Sequence, residues 1–133
     1  MKKTGVIHPE LLHQLSLCGH GDMILIADGN YPLASESGCA QKVYLGLCAG
    51  VPTVTQVLQV LLQEINVEAA AVMMPEEEPE IFAEFRKELG FRDLRKLSRE
   101  QFYQAAQDRK VRIAIATGEQ RVFANILLTV GVA

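Results

Sequence analysis

Apolar side chains recur along the chain in two rhythms, and the changes of rhythm mark out the elements. From Pro9, the run Glu10-Leu11-Leu12-x-x-Leu15-x-x-Cys18 has the three-to-four spacing of an amphipathic helix, with proline suited to its first turn and Gly19 to its stop. Met23–Ala27 is a compact apolar run between Gly21-Asp22 and Asp28-Gly29, which predicts a buried strand. Residues 29–42 are rich in Gly, Asn, Pro and Ser and predict a loop, after which 43–48 predicts a second strand. Thr53 is placed to cap a helix running to about residue 66, with Val54, Val57, Leu58, Leu61 and Leu62 on one face.

The second half repeats the alternation. Residues 69–73 predict a strand, although their alanines weaken the β signal. Glu76, Glu77 and Glu78, between Pro75 and Pro79, load acidic residues onto the start of the next helix, where the helix dipole favours them. That helix carries Ile81, Phe82 and Phe85 and ends near Gly90. Ser98 and Gln101 make a capping-box pattern ahead of a short helix over 99–106. Residues 111–116 accumulate apolar side chains like a central strand, and 124–130 predicts the last strand. Short apolar strands separated by helices predict one α/β domain over 1–133, a three-layer α/β/α arrangement with a mostly buried mixed sheet.

Composition narrows the picture. A chain of 133 residues is one typical domain and can bury about two-thirds of its unfolded surface without disulfides. With 49% hydrophobic residues it is too apolar for intrinsic disorder. Its 13 basic against 16 acidic residues give a net charge of -3 with no basic footprint, which argues against a nucleic-acid partner. No stretch reaches the ~18 apolar residues of a membrane span, and His8, Glu10 and His13 interrupt any signal-peptide core after Met1-Lys2-Lys3. Cys18, Cys39 and Cys48 form no CxxC pair and read as reduced thiols, so a soluble cytoplasmic protein is expected. One oddity remains: residues 126–133 carry no charge.

The candidate chemistry gathers at the two ends of the first strand. Gly19-His20-Gly21-Asp22 precedes it and Asp28-Gly29-Asn30 follows it. Strand ends in α/β sheets are where loops enclose ligands. A histidine between two glycines sits on a turn and not within an apolar pattern, so His20 is either a functional group or simply solvated. Asp28 opens an Asp-Gly dipeptide that also suits an ordinary turn. A strand of five or six residues spans roughly 17–20 Å, so the two ends need not meet within one copy of the chain. His8 and His13 read as helix-associated surface residues, Glu76–Glu78 as a solvated helix start, and Met73-Met74 as core filling. Cys18, His20 and Asp22 lack the second ligand pair of a structural metal site, so no metal is expected. No GxSxG, phosphate-binding loop or dinucleotide fingerprint occurs.

Taken together, several segments resemble the small sugar mutarotases that comprise D-ribose pyranase and L-fucose mutarotase. They are Gly19-His20-Gly21-Asp22 with the strand and Asp28 after it, Gly50-Val51-Pro52, Val67-Glu68-Ala69-Ala70, and Thr117-Gly118-Glu119 leading to Phe123-Ala124-Asn125-Ile126-Leu127-Leu128, with Gly131-Val132 at the end. Gly-His-Gly-Asp and Val72-Met73-Met74 lean towards the fucose branch, whereas Gly50-Val51-Pro52 and Ser98-Arg99-Glu100-Gln101-Phe102 lean towards the ribose branch.

The resemblance implies a cofactor-free isomerase that interconverts the anomers or ring forms of a free monosaccharide such as L-fucose or D-ribose. Opening a cyclic hemiacetal needs a base on the anomeric hydroxyl and an acid on the ring oxygen, with the roles reversed on closure. Histidine, which titrates near neutrality, can serve as either. Carried over by position, His20 matches the catalytic proton-transfer residue and Asp28 a substrate-binding carboxylate. Arg99 falls where a basic or His sugar contact is expected, and Phe123, Ala124 and Asn125 fall on a Tyr-x-Asn segment that contacts sugar. Phe123 departs from that pattern: a phenyl ring can stack on a sugar but cannot relay a proton. Tyr31 and Tyr103 are the alternative sources of a hydroxyl. The competing expectation is a non-catalytic sugar-binding or regulatory protein that lost turnover with Phe123. The resemblance also implies a ring-shaped homo-oligomer, commonly a decamer, with the uncharged tail ending against a neighbouring subunit.

Overall fold

The computed structural model describes residues 1–91 and 93–133. Its elements in chain order are α1 (Pro9–Leu17), β1 (Met23–Ala27), β2 (Gln41–Tyr44), α2 (Val54–Leu61), β3 (Val67–Met73), α3 (Ile81–Leu89), β4 (Leu94–Leu97), α4 (Arg99–Ala106), β5 (Val111–Ala116) and β6 (Ile126–Val130). The six strands form one sheet in the order β2-β5-β1-β6-β3-β4. The pairs β2/β5, β5/β1 and β3/β4 are parallel, and β6 runs antiparallel to both of its neighbours, β1 and β3. The sheet is therefore mixed, as the sequence predicts.

Alternation along the central strands divides the interior into two layers. Ile24 and Ile26 of β1, with Ile113 and Ile115 of β5, face α1, α2 and α3 through Leu11, Leu15, Leu58, Leu61, Phe82 and Phe85. Leu25 and Ala27 face the other way, towards Tyr31, Leu33 and the α4 residues Phe102 and Ala106. Three helices thus cover one face, while α4 and the 28–40 loop cover the other.

Several predicted boundaries move, each for a local reason. The second strand is 41–44 and not 43–48: the Leu45 N–H makes a last bond to the Ala116 carbonyl, and Leu47 and Cys48 then turn to bond Val51 instead of β5. Helix α2 stops at Leu61 and not near 66: Gln63 and Glu64 donate back to Val60 and Leu61 in a tightened last turn. The last strand starts at Ile126 and not 124, because Phe123 takes a left-handed conformation with φ 56°. The third strand begins at Val67, ahead of the predicted 69, and β4 was not predicted at all. The acidic run does not head α3, which begins at Ile81. Glu78 turns instead to pair with Arg86 of that helix and Lys96 of β4.

Candidate functional site

The C-terminal ends of β1 and β5 lie side by side because the two strands are parallel, and the loops leaving them are knotted together by Asp28. Its backbone N–H donates to Asn125 Oδ1 at 2.8 Å. Its carboxylate accepts the Asn30 N–H on Oδ1 at 2.9 Å and the Ala124 N–H on Oδ2 at 3.2 Å. Thr117 closes the other side, donating both its N–H and its hydroxyl to the Ala27 carbonyl. Asp28 is only 4% exposed. Burial pushes its carboxyl above the usual aspartate range, against the pull of the backbone N–H groups that stabilise the charge.

Around this knot is a cavity of about 220 Å³ lined by Asp28, Asn30, Tyr31, Met73, Arg99, Tyr103, Val122, Phe123 and Asn125. Its volume lies below the ~300–1,000 Å³ of drug-sized sites and suits a smaller polar ligand. Arg99 arrives on the first residue of α4, fixed by the predicted capping box: Ser98 Oγ accepts the Gln101 N–H and Gln101 Oε1 accepts the Ser98 N–H. Its guanidinium carbon sits 5.7 Å from the centroid of the Phe123 ring, a cation–π approach that orients both groups. One wall is therefore aromatic and the others offer a carboxylate, amides and a guanidinium, the mixture that grips a small polyhydroxylated molecule.

The structure brings together Asp28, Arg99, Phe123 and Asn125 from the sequence prediction. Ala124 is fully buried behind them and serves through its backbone N–H. His20 is not among the lining residues. It occupies the opposite end of β1, five strand residues or about 17 Å away. There it lines a separate open cleft with Leu15, Cys18, Asn66 and Val132, and its Nε2 lies 2.9 Å from Glu68 Oε2. The turn that holds it is fixed on both sides, Gly19 N–H to Asp22 Oδ2 and Gly21 N–H to the Val130 carbonyl.

Of the two alternative phenols, Tyr31 donates its hydroxyl to the Glu36 carbonyl at 2.7 Å, and its ring packs edge-on against Phe102 and Tyr103. Burial raises its pKa well above the usual tyrosine value and keeps it protonated. Tyr103 lines the cavity too, and it stands one helical turn after Arg99, so the i to i+4 spacing on α4 already placed the two on one face. Met73, read from sequence as core filling, is buried and also reaches the cavity.

The loop from β5 to β6 is braced from behind by a group the sequence did not single out. Glu119, 3% exposed, accepts the Val54 N–H at the start of α2, and the N–H, Nε and Nη2 of Arg121. Burial pushes the Glu119 carboxyl up, but the Arg121 and backbone donors outweigh it and hold it below the usual range. Arg121 extends the chain to Glu84 of α3, which accepts the Thr55 hydroxyl. Among the described residues, no three His, Cys, Asp or Glu side chains converge as metal ligands would.

A family model described as the RbsD / FucU transport protein family matches residues 1–133. The D-ribose pyranase of Clostridium novyi is 34% identical over 134 aligned residues, covering 99% of this chain and 98% of that protein. The D-ribose pyranase of Geobacillus kaustophilus is 31% identical, covering 99% and 95%. Among solved structures, Bacillus subtilis RbsD complexed with D-ribose superposes with a TM-score of 0.87 at 29% identity, covering 100% of this chain and 99% of the other. The fucose mutarotase of Streptococcus pneumoniae in complex with L-fucose gives 0.85 at 29% identity with the same coverage. Over its whole length the chain belongs to the RbsD / FucU family.

Proposed function

We propose that this protein is a cofactor-free mutarotase of a free pentose or 6-deoxyhexose, working in the cytoplasm. The observation that carries the reading is the convergence of Asp28, Arg99, Phe123 and Asn125 on one small cavity, in a chain whose relatives are D-ribose pyranases. Asp28 accepts sugar hydroxyls and sets orientation, Asn125 holds the Asp28 backbone, Arg99 donates, and Phe123 stacks on the apolar face of the ring. The reaction needs only proton transfers. A base removes the anomeric hydroxyl proton, the electrons form the carbonyl as the C–O ring bond breaks, and the ring oxygen takes up a proton; closure reverses each step. His20 is the base in this scheme, and Tyr103 supplies the phenol hydroxyl that Phe123 lacks.

Since His20 and Asp28 lie at opposite ends of β1, a working site needs His20 from a second copy. Exposed apolar side chains flank both ends: Leu17 and Val132 near His20, Val122 at the Asp28 cavity, and Leu47 and Val51 beside it. A head-to-tail contact whose rotation closes makes a ring, and one whose rotation does not makes an open filament; we propose the closed form, a decamer. Three free cysteines agree with a reducing compartment.

Saturation-transfer NMR on D-ribose, L-fucose and related sugars tests the activity. Faster anomer exchange with the wild type and its loss in His20→Ala are expected. Equal exchange with and without protein for every sugar would sink the reading. Shared sites are tested by refolding equal amounts of His20→Ala and Asp28→Ala together: random mixing restores about a quarter of the sites when the two residues come from neighbouring copies. A mixture as inactive as its parents places both residues in one chain.

A further inference from the structure

We infer that Glu68 is a positioning residue for His20, holding the imidazole with its proton on Nε2 so that Nδ1 faces the sugar as the base; this rests on the reading of His20 as the catalytic histidine. The pairing is built across a strand. In the sheet, β6 lies between β1, which His20 precedes, and β3, which carries Glu68. A contact between the two side chains must therefore pass over the end of β6, and three features of the backbone make that passage.

First, Glu68 is the extra residue of a β-bulge. The β3/β6 ladder pairs Val67 with Val130 and Ala69 with Thr129, which leaves Glu68 without a partner. A bulge turns a side chain out of the regular alternation, and bulges are common beside active sites for that reason. Second, the residue crossed is Gly131. A Cβ built there would stand 3.3 Å from Glu68 Cβ and 3.4 Å from Glu68 N, so the absent side chain leaves the space that Glu68 uses. Third, the His20 turn is pinned to the same end of β6 by the reciprocal bonds of Gly21 N–H to the Val130 carbonyl and Val130 N–H to the Asp22 carbonyl. The result is Nε2 to Oε2 at 2.9 Å.

Stability does not account for this construction. His20 and Glu68 side chains are 59% and 46% exposed, and ion pairs so open to water contribute about 0–1 kcal/mol. The chemical account is stronger. A carboxylate accepting the proton of one ring nitrogen fixes the tautomer, leaves the other nitrogen with its lone pair, and stabilises the imidazolium formed once that nitrogen has taken the anomeric proton. Glu68 touches no sugar in this scheme and acts only through His20.

The test compares Glu68→Gln and Glu68→Ala with the wild-type oligomer, after sedimentation and thermal unfolding show the same assembly and fold. Expected are a fall in kcat of roughly 10–100-fold for Glu68→Ala, by analogy with lost outer-shell partners of ligating histidines, and a smaller fall for Glu68→Gln, which keeps an acceptor. KM should stay within about twofold, since no sugar contact is lost. Independently of activity, ¹⁵N-resolved imidazole spectra should show His20 as the Nε2–H tautomer in the wild type and in Glu68→Gln, and a mixture in Glu68→Ala. A Glu68→Ala variant with wild-type kcat, or with an unchanged His20 tautomer, overturns the inference. His20→Ala at full rate would instead overturn the assignment of His20 itself.

Discussion

Replacing Glu119 by Gln should both loosen the fold and widen the candidate site, and the size of the effect can be worked from its bonds. The carboxylate accepts four donors: Arg121 N–H and Nε on Oε1, Arg121 Nη2 and Val54 N–H on Oε2. A glutamine keeps one oxygen and turns an NH2 group towards two of these donors. One of the two is a backbone N–H in either rotamer, and its loss costs about 1–3 kcal/mol. Losing the charge-assisted bond from Arg121 adds less than its ~1.5–3 kcal/mol, because the Arg121 side chain is 44% exposed and keeps Glu84 as partner. A total of about 3 kcal/mol corresponds to a fall in Tm of roughly 10 °C for a chain of this length.

The pH dependence carries a definite sign. The folded-state pKa of Glu119 lies below its unfolded value, so its stabilisation is complete above the unfolded pKa of about 4.3 and is lost as pH falls through the folded pKa. Thermal unfolding of both proteins at one fixed concentration, from pH 7 down to pH 3, should show the gap in Tm closing below about pH 4.5. Sugar affinity should weaken in the same variant, since the loop from Thr117 to Asn125 carries Phe123. Equal Tm values at pH 7, or a gap unchanged down to pH 3, would refute the reasoning.

Two further perturbations separate the loop from the helix that meets it. Gly118→Ala places a Cβ at 2.3 Å from the Cys48 carbonyl oxygen and 2.5 Å from that of Val51; relief requires backbone movement, and a destabilisation of about 1–3 kcal/mol or more, read by urea unfolding, is expected. Ser98→Ala removes the hydroxyl that accepts the Gln101 N–H, which should cost about 1 kcal/mol. The same variant should raise KM more than it lowers kcat, because the cap sets the position of Arg99.

What could be read from the sequence was decided by whether its signal was local. The Ser98/Gln101 box and the Thr53 cap each occupy four consecutive residues, and both helices begin where predicted. The apolar run 23–27, bounded by Gly21-Asp22 and Asp28-Gly29, predicts a buried strand, and the structure has one there. Leu94–Leu97 was missed because only its two ends are buried while Arg95 and Lys96 face water, so neither a continuous apolar run nor a clean alternation marks it. Within the site, the end of the first strand already marks Asp28, whereas its role as a sugar contact and the Asn125 position come from resemblance and not from pattern. The bond between them joins residues 97 apart in sequence, and no local rule reaches that far. Glu68 and the pairing of Asp28 with the Ala124 N–H are invisible for the same reason: each exists only once the sheet order has set β6 between β1 and β3. Glu119 has Arg121 only two residues on, but its bond to the Val54 N–H spans 65 residues.

The sheet order also explains how Phe123 can stand where a tyrosine was expected. Residue 123 lies in the left-handed region at φ 56°, unfavourable for an aromatic residue, and the next N–H is held by the buried Asp28 carboxylate. The turn is therefore fixed by its backbone bonds, and the ring is aimed into the cavity whether or not it bears a hydroxyl. Stacking and the approach of Arg99 need only the ring. The proton-bearing role is separable from it and can be met from α4, where Tyr103 shares a face with Arg99 and opens onto the same cavity. A change from Tyr to Phe at such a position removes one hydroxyl without moving the wall that carries it. Turnover and binding then depend on different side chains: Tyr103→Phe should lower kcat while leaving sugar binding nearly intact, whereas Phe123→Ala should weaken binding first.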